Sequence, residues 1–404
     1  MDSTVEIFDL IVVGGGPAGV FAAITAKTFH PDTTILILEL SSTLLAKVRA
    51  SGGGRCNVTN ACFDPKKLVQ NYPRGGKELL GPFHVFHPRH MIEWLENHGV
   101  EVKIESDGRV FPKTNRSETI VDALMTELDR LKIPVYYETP VEAITRDDSA
   151  FKVKTPNSTL YSKAVLLATG GSRQGFSLAK DLGHTIIEPV PSLFSFVIEN
   201  FPLHSVSGVA IDSVELSIPG TPFRAFGPQL ITHTGFSGPA TLKLSAFAAR
   251  HLFAKGYHET LSVNWLPSFS QQELFDTLLT KKQESPLSHL YSENPFPFPK
   301  SLWKLLSGPL GLKKYKDVSN KDLKAIALHL HNDRYIISGK AQHKEEFVTC
   351  GGISLREIDF RTLESKICKH LYFAGEILDI DGITGGFNLQ NAWTTGFIMG
   401  SKHE

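Results

Sequence analysis

Short apolar runs that end in glycine mark the beginning of the chain. Residues 10–13 form an uninterrupted apolar run that leads directly into the glycine cluster at residues 14–19. Such a run is typical of a strand buried in a parallel sheet. The alanine-rich segment that follows predicts a helix, and residues 34–38 predict the next strand. The order strand, helix, strand indicates a βαβ unit.

Similar segments recur on both sides of the middle of the chain. Residues 135–144, 164–168 and 371–374 predict further strands, and the last of these lies close to the C-terminus. Apolar residues at helical spacing over 116–132 and 388–400 predict helices that cover the sheet. We therefore expect an α/β fold with a doubly wound sheet.

The pattern changes near residue 188. Short β-like segments at 194–198, 213–218 and 229–232 are separated by proline and glycine, which favours a barrel or sandwich over further βαβ units. Helical patterns then follow at 271–282, 301–306 and 320–331, and further strands are predicted at 335–338 and 346–349.

Composition narrows the class of protein. Hydrophobic residues make up 41% and charged residues 21% of the chain, as in globular proteins. Basic and acidic residues number 42 each, so no overall basic charge indicates nucleic acid or membrane as partner, and only a local basic patch stays open. The apolar runs are shorter than the ~20 residues that span a bilayer, and no basic leader precedes the first strand. We expect a cytoplasmic protein.

Neither thiol nor metal chemistry is favoured. The chain has four scattered cysteines and no C-x-x-C; the cysteines are Cys56, Cys62, Cys350 and Cys368. A redox pair between Cys56 and Cys350 requires Cα atoms within ~7 Å, which sequence does not establish. His84, His87 and His90 recur every third residue, but no carboxylate or cysteine accompanies them, so we predict no metal site.

The first glycine cluster carries the clearest chemistry. Gly14, Gly16 and Gly19 fit G-x-G-x-x-G between a strand and a helix. In this motif the first glycine allows the turn, the second lets the backbone approach a pyrophosphate, and the third lets the helix pack on the strand. Glu39 ends the next strand, where an acidic side chain accepts hydrogen bonds from an adenosine ribose. The segment predicts a dinucleotide site.

A second glycine-rich stretch at residues 51–60 does not follow a strand and does not fit that motif. Its three adjacent glycines expose backbone N–H groups, and Arg55 and Asn57 add donors suited to phosphate or to flavin carbonyls. A flexible surface loop is the alternative. Its position one βαβ unit after the nucleotide motif favours a loop that contacts the cofactor.

This stretch, with residues 108–112, 375–379 and 385–392, resembles the BaiN/YhiN-like flavoproteins, also described as NAD(P)/FAD-dependent or aminoacetone-oxidase-like oxidoreductases. The resemblance extends from about residue 7 to about residue 400. It implies a Rossmann-like FAD-binding domain formed from both chain ends, an inserted β-barrel-like domain and a small nested helical domain. The boundaries we assign are 1–188 and 347–404 for the FAD-binding domain, 189–268 and 333–346 for the β-rich domain, and 269–332 for the helical domain.

The C-terminal motifs fit the same cofactor. A helix that begins near Asn388 offers N–H groups and partial positive charge to the pyrimidine end of a flavin, where reduction leaves negative charge. Asp379 and Asp381 are candidates for the ribityl chain, with capping of the turn as the alternative. Motifs at both chain ends are expected for an extended FAD, whereas NAD alone leaves the C-terminal set unexplained.

The predicted cofactor contacts therefore come from several separate segments. By resemblance, the backbone of Val141 meets the adenine, and a plain core valine is the alternative. The predicted contacts are Gly14, Gly16, Pro17, Ala18, Gly19, Glu39, Ser51, Gly52, Gly53, Arg55, Cys56, Asn57, Val141, Thr169, Gly170, Gly171, Gly375, Glu376, Asp381, Gly385, Gly386, Asn388 and Leu389.

One histidine is the candidate for catalysis. Residues 232–240 resemble the family's Thr-His-x-Gly-x-Ser-Gly-Pro, and they do not fit the G-x-S-x-G of a serine nucleophile. His233 is a candidate acid or base, because imidazole titrates near neutrality. The alternative is a histidine that holds the turn by hydrogen bonds.

These features predict an FAD-dependent oxidoreductase that acts on a small molecule held between the FAD-binding and inserted domains. No second G-x-G-x-x-G follows a strand. The lack of a dedicated NAD(P)H domain favours substrate oxidation, with NAD(P)H retained as a transient electron donor. Two alternatives stay open: a flavoenzyme that modifies RNA, which the neutral charge disfavours, and a non-catalytic flavin-binding redox sensor or scaffold. The sequence leaves the substrate and the oligomeric state undetermined.

Overall fold

A computed structural model describes residues 7–147, 150–341 and 348–402. The strands are β1 (Ile7–Val13), β2 (Ile35–Leu38), β3 (Thr59–Asn60), β4 (Val102–Ile104), β5 (Arg109–Pro112), β6 (Val135–Tyr136), β7 (Ala143–Arg146), β8 (Phe151–Lys154), β9 (Thr159–Leu167), β10 (Ile186–Ser192), β11 (Phe196–Ile198), β12 (Ala210–Ser217), β13 (Arg224–Ile231), β14 (Gly235–Ser237), β15 (Glu259–Asn264), β16 (Asp333–Lys340), β17 (Val348–Ile353), β18 (Ile358–Asp359), β19 (Glu364–Ser365) and β20 (Leu371–Phe373). The helices are α1 (Pro17–Phe29), α2 (Ala46–Ala50), α3 (Pro65–Leu68), α4 (Gly76–Val85), α5 (Pro88–Asn97), α6 (Glu118–Arg130), α7 (Arg173–Asp181), α8 (Pro239–Phe247), α9 (Ala249–Ala254), α10 (Gln271–Glu284), α11 (Lys300–Leu306), α12 (Asn320–His331) and α13 (Phe387–Lys402).

The chain divides into two compact units. Unit 1 contains the described residues up to Pro191 and from Val348 onwards, and unit 2 contains those from Ser192 to Ala341. Unit 1 is built on a nine-stranded sheet whose central order is β18-β19-β20-β9-β1-β2-β6. Strands β20, β9, β1, β2 and β6 run parallel, so the last strand of the chain lies beside a strand from its first half. The predicted Rossmann-like sheet formed from both chain ends is confirmed.

The buried residues of unit 1 follow the apolar runs of the sequence. Leu10, Ile11 and Val12 of β1 are fully buried because neighbouring strands and helices cover both faces of the sheet. Helix α1 packs along α13. The added Cβ of an alanine at Gly396 or Gly400 lies 2.6 Å from a backbone oxygen of α1, so these two glycines allow the helices to approach closely.

Unit 2 contains a closed antiparallel barrel in the order β11-β14-β13-β12-β15-β16. Inward residues alternate with exposed ones along its strands, as in Ile211, Val214 and Leu216 of β12. Leu274 of α10 and Trp303 of α11 belong to the same apolar core as the barrel residues. The predicted barrel and helical segments are thus present, and they share one core.

Two details of the predicted elements need correction or qualification. The strand predicted over residues 135–144 is two strands, β6 and β7, because Glu138 adopts a left-handed φ of 49° that breaks the extended backbone. Of the strand predicted over 346–349, residues 346 and 347 lie outside the described residues, and Val348 begins β17. Within the described ranges, no helix has the length and apolar character to span a membrane.

Candidate dinucleotide site

Two glycines of the first motif are required by their own surroundings. Gly14 has a φ of 108°, and a Cβ on it would lie 2.6 Å from the carbonyl oxygen of Ala168. A Cβ on Gly19 would lie 2.1 Å from the carbonyl oxygen of Gly14. Both distances are far below van der Waals contact, so these residues fix the turn and the packing of α1 on the sheet.

Gly16 differs from its neighbours in the motif. Its φ of −76° and ψ of −178° suit any residue. A Cβ there would meet nothing nearer than the Ala168 carbonyl oxygen at 4.0 Å. Helix α1 begins at Pro17 with no side-chain cap, which leaves the N–H groups of its first turn in need of an acceptor. Space for backbone approach beside an uncapped helix N-terminus fits a pyrophosphate.

Glu39 lies directly beyond β2, where the ribose contact is predicted. One oxygen of its carboxylate accepts from the N–H of Gly15 at 2.7 Å, and the other accepts from the N–H and hydroxyl of Ser41 at 2.8 and 2.7 Å. These bonds fix the carboxylate beside the glycine turn. Each oxygen retains acceptor capacity for a ribose hydroxyl.

The end of β9 leads to the predicted contacts Thr169, Gly170 and Gly171. The hydroxyl of Thr169 is buried and has no hydrogen-bond partner among the described residues. Gly170 has a φ of 60°, and a Cβ on Gly171 would lie 2.2 Å from the hydroxyl oxygen of Thr349. A buried hydroxyl without a partner is costly, which indicates that a ligand group completes it.

Gly375 and Glu376 follow β20, and Glu376 lies close to Gly170 in the turn after β9. The N–H of Thr349 donates to Glu376 at 2.8 Å. Burial raises the pKa of Glu376, and the charge of Lys47 and the Thr349 N–H oppose that shift. A Cβ on Gly375 would lie 2.9 Å from the Cβ of Ala18, so the turn after β20 reaches the first turn of α1.

The second glycine stretch forms a 3-10 turn over Ser51–Gly54. Gly52, Gly53 and Gly54 all have positive φ, and a Cβ on Gly53 or Gly54 would meet nothing within 4 Å. Arg55, predicted to contact the cofactor, pairs with Glu105 at 2.9 Å and lies 4.0 Å over the Phe111 ring. The open glycines offer N–H groups, while protein contacts hold the guanidinium.

Residues 56–60 join this stretch to the C-terminal motif. With its amide oriented to satisfy both groups, Asn57 accepts from the N–H of Gly386 at 2.9 Å and donates to the Thr59 carbonyl at 3.0 Å. The amide of Asn60 donates to the Gly385 carbonyl at 3.1 Å. Two motifs more than three hundred residues apart in sequence therefore lie side by side.

Cys56 lies in the same segment and is fully buried. Burial raises the pKa of its thiol to about 12, although the hydroxyl of Ser51 opposes the shift. The thiol is therefore neutral at physiological pH and a weak nucleophile. The structure describes all four cysteines, and none of them forms a disulfide.

Internal contacts engage several predicted residues of the C-terminal loop. Asp381 is fully buried and forms a two-oxygen ion pair with Arg74. The side chain of Asn388 bridges both backbone groups of Gly382, at 2.8 and 2.9 Å. These contacts hold the loop that precedes α13 and leave Leu389 half-buried on its first turn. They indicate a positioning role for both polar side chains.

Val141, predicted near the adenine, is buried just before β7. Its carbonyl accepts a hydrogen bond from the side chain of Gln174 on α7. Val141 therefore contacts helix α7 and lies just before β7, a strand at the edge of the sheet.

Sequence reasoning missed some residues of this region. Arg74 and Thr349 contact predicted site residues, and the side-chain oxygen of Asn391 on α13 is buried with no partner in the described part of the chain. Arg74 follows Pro73 and precedes two glycines, and this cluster of turn-forming residues is a local signal in the sequence. Asn391 belongs to the motif at 385–392 but lacks any local signal of its own.

Taken together, these observations fit an extended dinucleotide such as FAD. The uncapped α1 and the open Gly16 suit its pyrophosphate. The orphaned polar atoms of Thr169 and Asn391 provide two buried groups that lack partners. Gly14, Gly170 and Gly375 follow β1, β9 and β20, and each lies against a residue that follows another of these strands, so the turns border one region of unit 1.

The candidate catalytic histidine lies in unit 2. His233 is exposed in the turn between β13 and β14. The hydroxyl of Thr232, rather than the imidazole, holds this turn by bonds to the backbone of Gly235 at 3.0 and 3.1 Å. The His233 ring is therefore available for other interactions.

Two of the three histidines at 84, 87 and 90 cap a helix. The ring of His87 accepts from the Arg89 N–H, and the ring of His90 accepts from the His87 N–H, which caps α5. Across the residues that the structure describes, no group of three His, Cys, Asp or Glu side chains is arranged to hold a metal ion.

A family model and two relatives each match almost the whole chain. A family model described as the HI0933-like protein Rossmann domain matches residues 8–402. The 3-dehydro-bile acid delta(4,6)-reductase of Clostridium scindens is 27% identical over 96% of this chain and 97% of its own length. The ribosomal RNA dihydrouridine synthase of Escherichia coli is 28% identical over 96% of each chain.

Solved flavoenzyme structures share the fold. The 3-ketosteroid delta1-dehydrogenase of Sterolibacterium denitrificans superimposes with a TM-score of 0.51 at 14% identity, covering 98% of this chain and 99% of that one. A flavocytochrome c3 fumarate reductase gives a TM-score of 0.50 at 15% identity, covering 98% and 78%. At these identities the likeness concerns the fold alone.

Proposed function

Because this chain belongs to the HI0933-like Rossmann family and is an FAD-dependent oxidoreductase, we propose that it reduces a carbon–carbon double bond conjugated to a carbonyl. The observation that carries the proposal is the shared chemistry of two relatives matched over almost their whole length. A delta(4,6)-reductase of a 3-oxo bile acid and a synthase of dihydrouridine each saturate such a bond.

The electron balance of this reaction requires a donor. FAD bound at this site would supply the transfer of a hydride from NAD(P)H to the carbon β to the carbonyl, and a proton would add to the α carbon. This direction differs from the substrate oxidation that the lack of a second nucleotide motif favoured. A donor that binds only transiently needs no second Rossmann domain.

The residues of this chain bind and orient the reactants. The first turn of α1 and Gly16 hold the pyrophosphate, and Glu376 accepts hydrogen bonds beside Gly170. The positive end of α13 favours negative charge near its first turn. His233, exposed and not engaged in its turn, is the proposed donor of the proton.

Product analysis tests the proposal. Anaerobic protein is incubated with NADPH and, separately, 2-cyclohexen-1-one, uridine or benzylamine, and the products are identified by mass spectrometry. We expect the enone to gain two hydrogens, with the rate lowered in His233→Asn by a factor on the order of 10². The incubation with benzylamine is repeated in air without NADPH. Oxidation of the amine there, with no saturation of either conjugated probe, would instead identify an oxidase. Absence of any turnover would favour the redox sensor.

A further inference from the structure

The neutral total charge hides an uneven distribution of lysines. Residues 300–324 contain seven of the 42 basic residues but only two of the 42 acidic residues, an excess of five positive charges that the remainder of the chain balances. We call these seven side chains the lysine surface. They are Lys300, Lys304, Lys313, Lys314, Lys316, Lys321 and Lys324, and all seven are exposed.

Consecutive elements of unit 2 carry the lysine surface. Lys300 and Lys304 are four residues apart on α11, and Lys321 and Lys324 are three apart on α12, so each pair shares one face of its helix. The opposite faces are buried in the unit 2 core. Helix α11 packs against α12, so the two pairs lie on neighbouring helices.

The turns between these helices continue the same surface. Lys313, Lys314 and Lys316 lie between α11 and α12. Lys313 lies close enough to the N-terminus of α12 to join Lys321 in lowering the pKa of Asp322, after the hydroxyl and N–H of Ser319. Four of the seven lysines thus lie within or beside one loop and the start of one helix.

Within the described part of the chain, the amines of the lysine surface form no ion pair with a carboxylate. Among the residues that the structure describes, none of the seven lies within ion-pair distance of an Asp or Glu, and only Lys324 has a ring contact, 5.3 Å from the centre of Phe275. By contrast, the nearby Lys281 pairs with Glu284 and Glu293. Only two acidic residues, Asp317 and Asp322, lie among these seven exposed lysines. The uncompensated positive charges repel one another, so an anionic partner is favoured.

We propose that the lysine surface binds the phosphate backbone of an RNA. Seven flexible ammonium groups along two helices and a loop suit a chain of phosphates, which Lys contacts as a point charge. The RNA class is favoured over a lipid surface because the amines are distributed over several elements rather than along one amphipathic helix. It also agrees with the relative named for ribosomal RNA. That the bound RNA is also the substrate rests on the proposed function.

Fluorescence anisotropy with a labelled, uridine-containing RNA hairpin tests this surface on the full-length, flavin-loaded protein. Without NAD(P)H, this binding assay is independent of any reductase activity, so failure of the proposed function leaves its result intact. We expect Lys313→Gln/Lys314→Gln/Lys316→Gln to weaken binding on the order of 10-fold at ~0.1 M salt. The slope of log affinity against log salt should fall by about 2 to 3.

A second triple variant protects the test against misfolding of the first. Lys300→Gln/Lys304→Gln/Lys321→Gln should weaken binding to a similar extent. The matched control, Lys180→Gln/Lys255→Gln/Lys369→Gln, removes three exposed lysines elsewhere and should bind as the unaltered protein does. No retention of the hairpin at low salt, an equal loss in the control, or binding only to phosphatidylserine vesicles would overturn the proposal.

Discussion

Within the first glycine motif, the three glycines meet different neighbours. Gly14 and Gly19 would each place a Cβ within 2.6 Å of a backbone oxygen, whereas Gly16 opens onto free space beside the uncapped start of α1. Their substitution should therefore have different consequences. Changes at Gly14 or Gly19 disturb folding, while a change at Gly16 affects the ligand.

Gly16→Val should give a folded protein without bound flavin. Its side chain occupies the space through which the backbone approaches the pyrophosphate, so we expect FAD content below about a tenth of normal. The stability of the apo form should stay within about 0.5 kcal/mol. Flavin absorbance per mole of purified protein measures the first quantity, and urea unfolding of the stripped proteins measures the second.

Gly339→Val is the matched control for this change. Gly339 lies on β16, and a Cβ there meets only the Val197 Cβ at 3.8 Å, an ordinary van der Waals contact. The control should stay yellow. A Gly16→Val protein with normal FAD content would show that the pyrophosphate lies elsewhere.

At the scale of the elements, the close packing of α13 on α1 depends on Gly400. A Cβ on Gly400 would lie 2.6 Å from the Ala22 carbonyl oxygen and 2.8 Å from the Ala26 nitrogen. We expect Gly400→Ala to destabilise unit 1 by about 1 to 3 kcal/mol, because backbone atoms must shift. Gly339→Ala on β16, where a Cβ would meet only the Val197 Cβ at 3.8 Å, should instead stabilise by about 0.5 to 1 kcal/mol. Urea unfolding compares them, and equal signs would contradict this packing.

The turn after α7 contains a buried histidine that makes stability depend on pH. The ring of His184 hydrogen-bonds the Ser365 hydroxyl at 2.8 Å and packs on Phe373. Burial lowers the pKa of His184, against smaller opposing effects of the Ala179 carbonyl and Glu357. The unfolded state therefore binds the proton more readily, and this contribution to stability is lost as pH falls below about 6.5.

Comparison of the normal protein with His184→Gln tests this dependence. The unfolding free energy of the normal protein should fall more steeply from pH ~7 to ~5, by up to about 1.4 kcal/mol per pH unit. The exposed His84→Gln should keep the normal slope. Parallel slopes for the normal protein and His184→Gln would show that His184 does not titrate with unfolding.

On the scale of the whole molecule, the sequence predicts the fold where apolar runs are long. Residues 10–13 and 164–167 are buried in the adjacent strands β1 and β9, and residues 371–373 join them as β20. These strands are recognisable because burial on both faces requires continuous apolar residues. The interruption at Glu138 was not recognisable, since a left-handed backbone at a glutamate depends on tertiary contacts.

The candidate site was less predictable than the fold. The glycine motifs were found, but nothing local indicates that Asn57 meets Gly386 or that Arg74 pairs with Asp381. Such contacts join segments that are hundreds of residues apart, and sequence periodicity carries no information about them. Likewise, a total charge of zero gave no indication of the lysine surface, because summation removes the position of each charge.

In the proposed reaction, this FAD-dependent enzyme takes electrons from NAD(P)H to saturate a conjugated double bond. Its most direct test is an anaerobic absorbance titration of the purified yellow protein with NADH and then NADPH, followed by 2-cyclohexen-1-one. We predict that one of the nucleotides bleaches the flavin band and that the enone restores it. A flavin band that neither nucleotide bleaches, but that a reduced donor such as an amine does, would contradict the claim.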